Sequence, residues 1–247
     1  MSRYLWVGIA LALCLVRLFA EPAKGIAAGE RPGTAYSITQ IEGWTIHINS
    51  ALLENEKALT DRALELLRKQ LEEIARVVPS KSVTKLRAVP LWFSPEYPGI
   101  KPKAEYHPGA GWLREQGRNP AMEKGIEFTD IHEFEREMNR MPNFALHELA
   151  HAYHDRVLPD GFENEEIKAA FEKAKASQKY DRVERWFGNG KANTFERAYA
   201  MTSPQEYFAE SSEAFFSRND FFPFTRNELK RHDPEMYELL ERLWDLK

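Results

Sequence analysis

Cysteine is almost missing from this chain. Cys14 is the only one in 247 residues, and it lies in a stretch that reads as a removable leader. A mature chain without it forms no disulfide and offers neither a thiolate metal ligand nor a cysteine nucleophile. Concentrated positive charge is missing too. Lys and Arg number 34 against 38 Asp and Glu, a net charge of −4, so no nucleic-acid partner is expected. No long hydrophobic run follows the N-terminus, and neither an internal repeat nor a second domain boundary is visible.

The N-terminus has the order of a secretory signal. Arg3 precedes a short apolar run from Tyr4 to Val16, and small residues gather near Ala20. Arg17 interrupts the run, which is too short to span a bilayer comfortably. The expectation is a signal peptide over residues 1–20, a flexible lead-in rich in Ala, Gly and Pro over 21–35, and one domain over 36–247. The leader holds Arg3 and Arg17 and no acid, so its removal takes the net charge to about −6. The expected location is secreted or periplasmic, with no membrane span in the mature chain, which is expected to be a monomer.

Within 36–247, alternation over Tyr36–Ile41 and Trp44–Ile48 around Glu42-Gly43 predicts a hairpin. Thr60 to Val78 carries Leu64, Leu67, Leu71, Ile74 and Ala75 on one face, an amphipathic helix. Leu86 to Phe93 reads as a buried strand despite Pro90. Residues 94–125 are dense in Pro and Gly and read as a long functional loop region. Its segment Tyr106–Arg114 fits a substrate-binding loop and a structural one equally. Gly125–Phe128 reads as a short strand. Helical patterns follow over Phe134–Val157, with Pro142 in the first turn of a second helix, and over Glu163–Ser177. A second hairpin is expected around Trp186 and Phe195. Further helices open at Ser203-Pro204 and Asp233-Pro234.

His147-Glu148-Leu149-Ala150-His151 carries the chemistry. Histidines four apart on a helix share a face, so both imidazoles reach one ion, and zinc suits such ligands. Glu148 is offset so that it can hold and deprotonate a water beside that ion. Phe144, Leu146, Leu149, Ala150, Ala152 and Tyr153 bury most of this helix, and buried histidines need partners. His154 lies about 10 Å along the axis from His147, too far to join the same ion, and is expected behind the ligands or in the packing. Position 157 is Val157, so the third ligand comes from elsewhere. Glu206, Glu210 and Glu213 follow at helical spacing among apolar and aromatic neighbours. One of Glu206 and Glu210 can ligate while the other accepts a hydrogen bond from a ligand histidine. Glu213 is expected on a solvated face.

Tyr199 to Glu210, taken with the histidine pair, resembles the second motif of the anthrax-lethal-factor-like zinc peptidases, a group that includes small secreted Pro-Pro endopeptidases. The resemblance runs from Pro142 to Phe216. It implies one zinc on His147, His151 and Glu206, Glu148 as general base, Tyr199 as the hydroxyl that steadies the oxyanion, and Glu210 behind a ligand. A phenol at that place can donate to developing negative charge. The resemblance further implies an α+β, zincin-like fold, with a small curved mixed sheet supporting the active-site helix and a mostly helical C-terminal half. A peptide or protein substrate would add as a strand along a sheet edge, expected at Ile126–Thr129. The long stretch between His151 and Glu206 departs from the pattern and implies a cleft of its own. Two rivals remain open: an amidase acting on cell-wall peptides with the same zinc site, and an exported zinc- or partner-binding module without turnover.

Overall fold

The computed structural model describes residues 35–246; the expected leader and most of the expected lead-in lie outside them. Five strands form one mixed sheet: β1 (Tyr36–Ile41), β2 (Trp44–Asn49), β3 (Leu91–Phe93), β4 (Ala104–Tyr106) and β5 (Ile126–Phe128), in the order β1-β2-β3-β5-β4. The hairpin β1–β2 is antiparallel, β2–β3 and β3–β5 are parallel, and β4 returns antiparallel on β5. Its turn places Glu42 and Gly43 at positive φ, as a tight two-residue connection requires.

Alternation sorts the two faces. Trp44, Ile46, Ile48, Leu91, Phe93, Ile126 and Phe128 point into the main core. Three short helices flank the N-terminal half: α1 (Ser50–Asn55), α3 (Ser80–Leu86) and α4 (Ala110–Glu115). The long α2 (Lys57–Val77) buries Ala63, Leu66, Leu67, Leu71 and Ile74, the apolar stripe its spacing predicts. The C-terminal half is mostly helical: α5 (Phe134–Arg140), α6 (Phe144–Val157), α7 (Glu165–Ser177), α8 (Pro204–Phe216), α9 (Arg226–His232) and α10 (Pro234–Leu243). A small hairpin, β6 (Val183–Arg185) with β7 (Thr194–Glu196), separates α7 from α8. The α+β layout expected from the sequence is therefore present. Among the described residues, no helix is long and apolar enough to cross a membrane.

Several expectations need correction. The strand expected from Leu86 begins only at Leu91, because α3 runs to Leu86 and Pro90 brings no N–H to a ladder. The carbonyl of Pro90 still pairs, accepting from Ile126 N at 3.0 Å. Pro142 lies before the second helix and not inside it. Asn143 is the cap, its Oδ1 accepting from Leu146 N at 3.1 Å. Residues 94–125 are built around β4 and α4, and Leu113 and Met122 pack against Trp92 of β3. The expected edge at Ile126–Thr129 is internal: β5 lies between β3 and β4, and β4 is the edge.

Two helices set the functional geometry. α6 starts where Gln70 of α2 meets it: Gln70 Oε1 accepts from Ala145 N at 2.9 Å, and Asn143 Nδ2 donates to Gln70 O at 3.1 Å. At its far end Tyr153 donates to Leu243 O at 3.0 Å and stacks on Trp244 at 4.1 Å. α8 packs along α6. Ser203 caps α8, accepting from Glu206 N at 3.2 Å, and Pro204 occupies the first turn, where its missing N–H costs nothing.

Candidate active site

The pairing of α6 with α8 brings together residues distant in sequence. His147 Nε2 lies 3.1 Å from His151 Nε2 and 3.1 Å from Glu206 Oε2. His151 Nε2 lies 3.5 Å from Glu206 Oε2. These three atoms form a nearly equilateral triangle at the floor of a cleft of about 1000 Å³. A tetrahedral zinc with bonds of roughly 2.0–2.1 Å spaces its ligand atoms by about 3.3 Å. The donor set and spacing therefore fit such an ion.

Carboxylates behind the triangle add to the fit. Glu213 Oε2 lies 2.9 Å from His147 Nδ1, so a proton held between them leaves the lone pair of Nε2 facing the cleft. Glu213 is fully buried and its Oε1 has no hydrogen-bond partner. The expectation of a solvated Glu213 is thus overturned, and the carboxylate behind His147 is Glu213 rather than Glu210. Glu210 Oε1 stands 4.0 Å from Nδ1, beyond hydrogen-bond reach, while its other oxygen accepts from Asn219 Nδ2 at 2.9 Å. The reason is the helical drift over seven residues. Glu206 and Glu213 both lie along the line of α8 that faces α6, and Glu210 turns toward the 217–223 loop.

So much buried negative charge calls for a cation. Burial drives the Glu210 carboxyl well above its ordinary range, with Asp220 and Glu213 adding repulsion. Burial also lifts Glu213, to about 7, against the attraction of His147. Burial opposes the charging of His147, yet Glu213 and hydrogen bonds to Glu206 and Glu213 hold its pKa well above that of a free imidazole. Glu206 shows the converse. Burial works to raise its pKa, and hydrogen bonds with His147 and His151 outweigh that and keep it ionised far below the usual range.

Glu148 stands beside the triangle in a defined place. Its Oε2 accepts from the backbone N–H of Tyr106 at 2.8 Å. The ladder explains why that N–H is free to do so. Lys103 pairs with Thr129 and His107 with Gly125, so the groups of Ala104 and Tyr106 alternate away from β5 and into the cleft. This contact was not visible in the sequence, because a three-residue strand has no periodicity to read. Tyr199 lines the same cleft at its rim, about half exposed. Burial and the nearby Glu206 raise its pKa, so it stays a protonated donor at neutral pH.

His154 is outside the group. It is fully buried between Phe162 and Phe208, at 5.2 and 5.1 Å between ring centroids, with neither ring nitrogen hydrogen-bonded. Burial lowers its pKa to about 4, so it packs as a neutral ring. The 106–114 segment divides its residues between two tasks. His107 is buried against Glu127 at 3.0 Å, where Arg118 and the Tyr97 hydroxyl also converge, at 3.1 and 2.7 Å. Trp112 remains partly exposed and, with Gly109 and Gly111, lines a separate shallow cleft of about 540 Å³.

Comparison with known proteins bears on the part of the chain that carries these histidines and glutamates. Residues 122–243 match the family model described as anthrax toxin lethal factor, N- and C-terminal domain. These residues belong to the lethal-factor family of metallopeptidases. The match contains α5 to α10, and with them both histidines, Glu148, Tyr199, Glu206 and Glu213. The first 121 residues, which supply α2, β4 and most of the sheet, lie outside the lethal-factor match. A solved structure, the Pro-Pro endopeptidase PPEP-2 from Paenibacillus alvei, is 21% identical. The likeness covers 74% of this chain and 90% of that one, with a TM-score of 0.43. No curated protein matches the chain.

Proposed function

We propose that the protein is an exported, zinc-dependent metallopeptidase that cleaves peptide bonds with Glu148 as general base. The observation that carries this reading is the triangle of His147, His151 and Glu206 with Glu148 and an open sheet edge beside it. His147, His151 and Glu206 would hold the zinc. Bound there, it supplies Lewis acidity, acidifying water and polarising a carbonyl. The protein's groups do the rest. Glu148 takes the proton of the attacking water and returns it to the departing amine. The N–H of Tyr106 holds Glu148 Oε2 and fixes where that proton is received. The Tyr199 hydroxyl, at the rim, donates to the oxygen on which negative charge develops. Glu213 orients His147 through Nδ1.

Substrate would lie as a strand antiparallel to β4, whose Ala104 N–H and C=O and Tyr106 C=O face the cleft. The signal-like segment at Arg3–Ala20 supports export, and the mature protein would act alone on a peptide or protein outside the cytoplasm. A peptide library digested with and without chelator, with fragments read by mass spectrometry, tests the reading. Cleavage that stops with chelator and returns with zinc is expected; cleavage indifferent to chelator would refute it.

A further inference from the structure

The cleft floor holds one carboxyl that the chemistry above leaves unused. Asp130 lines the same cleft as the histidines, is only 2% exposed, and its Oδ1 has no hydrogen-bond partner. A carboxyl oxygen left without a partner so deep in the protein is costly, and nearby cations do not relieve it. Lys103 is engaged with Glu105 at 2.5 Å, Arg136 with Glu133 at 2.5 Å, and Arg140 with Glu137 and Asp220. Burial lifts the Asp130 pKa to about 7, with Glu137, Glu148 and Glu133 adding repulsion. Glu133 and Glu137 are themselves paired with Arg136 and Arg140, so Asp130, with an oxygen that no group satisfies, is the place in that part of the cleft that favours an added positive charge. Among the charged side chains of the cleft lie apolar ones: Met141 at the end of α5, Phe144 ahead of the ligand histidines on α6, and Ala104 on the edge strand.

The position along the sheet edge orients any bound peptide. Asp130 follows Thr129, whose backbone N–H donates to Lys103 O at 3.0 Å, so it sits two residues beyond Phe128, the partner of Ala104 at the start of β4. Glu148 meets β4 at its other end, Tyr106. A peptide antiparallel to β4, with its reacting carbonyl near Glu148, advances toward its own C-terminus as it passes from Tyr106 toward Asp130. We propose that Asp130 is the specificity-determining residue of a subsite for a lysine or arginine side chain, located within the first two residues after the cleaved bond. The aliphatic stem of that side chain lies along Met141 and Phe144 while its charged head reaches Asp130. The proposal rests on the peptidase reading and names a substrate class for the same cleft.

A positional-scanning peptide library digested by the zinc-loaded protein provides the test. Peptides with Lys or Arg at the first or second position after the cut are expected to be cleaved with kcat/KM about tenfold or more above the norleucine equivalents. In Asp130→Asn that ratio should collapse toward one; Asp130→Ser serves if the first variant does not fold. No preference in the wild type, or one that persists in either folded variant, overturns the proposal. Peptides retained by Glu148→Gln, with and without Asp130→Asn, are sequenced in parallel. Enrichment of Lys and Arg only when Asp130 is intact supports the subsite even if no turnover is detected; no enrichment counts against it. Absence of all cleavage refutes the peptidase reading instead, so the two failures are distinct.

Discussion

At the scale of single residues, the proposed function divides the site into groups that would bind, groups that would orient and one that would move a proton. Glu148 touches none of the three atoms that would hold a metal and accepts from a backbone N–H instead. Glu148→Gln should therefore lower turnover by about 10²–10⁴-fold, the usual worth of a general base, while elemental analysis finds zinc unchanged. The three glutamates of α8 should separate as well. Glu206→Ala removes a donor and should be the most damaging in a competitive zinc titration. Glu213→Ala removes the partner of His147 Nδ1 and should weaken zinc by about 10–100-fold. Glu210→Ala, hydrogen-bonded to Asn219 and not to a histidine, should weaken zinc less than Glu213→Ala. A reversal of those last two would contradict the geometry at His147. Asp130 adds a pH effect of definite sign. Its folded pKa lies near 7 against an ordinary value of 3.8, so its charge destabilises the fold above the unfolded pKa, and increasingly so up to about pH 7. Asp130→Asn should raise the melting temperature at pH 8 and do little at pH 4. Equal shifts at both would show that the carboxyl is relieved in some other way.

At the scale of elements, the decisive placements are the start of α6 and the edge β4. The sequence named the helix of His147 and His151 because two histidines at four-residue spacing on an apolar helix are a local pattern. It could not name what holds that helix in place. Gln70, on α2, caps it across 75 positions through Ala145 N, and nothing local in α2 marks a polar residue as buried for that purpose. The same limit explains the misplaced edge. β4 and β5 have three residues each, too few for alternation to tell an internal strand from an outer one. Glu213 is illegible for a different reason: a glutamate at i+7 fits a wet helix face as well as a buried one until the partner helix is known. The edge assignment can be tested by Ala104→Pro. The N–H that proline removes faces the cleft, so pairing with β5 survives, and KM should rise by about fivefold, the worth of one hydrogen bond. A KM unchanged in a folded variant would place the substrate elsewhere.

At the scale of the whole molecule, the family match covers the helical half while the sheet edge that completes the cleft comes from residues before it. A metal held there would be linked to the fold, because the donors come from two helices, α6 and α8, that an unfolded chain does not hold together. Zinc at about 100 times its dissociation constant should add about 2.7 kcal/mol, or roughly 5–10 °C in melting temperature for a chain of this size. A melting curve that does not move when zinc is removed and restored would show that no ion binds across α6 and α8. The central claim is that this site hydrolyses peptide bonds through Glu148 with zinc bound. The most direct measurement is mass spectrometry of a peptide library after incubation with zinc-loaded wild type and with zinc-loaded Glu148→Gln, side by side. New termini in the wild-type digest alone, lost on chelation and recovered with zinc, are the predicted result; the same termini from both proteins, or none from the wild type, would contradict it.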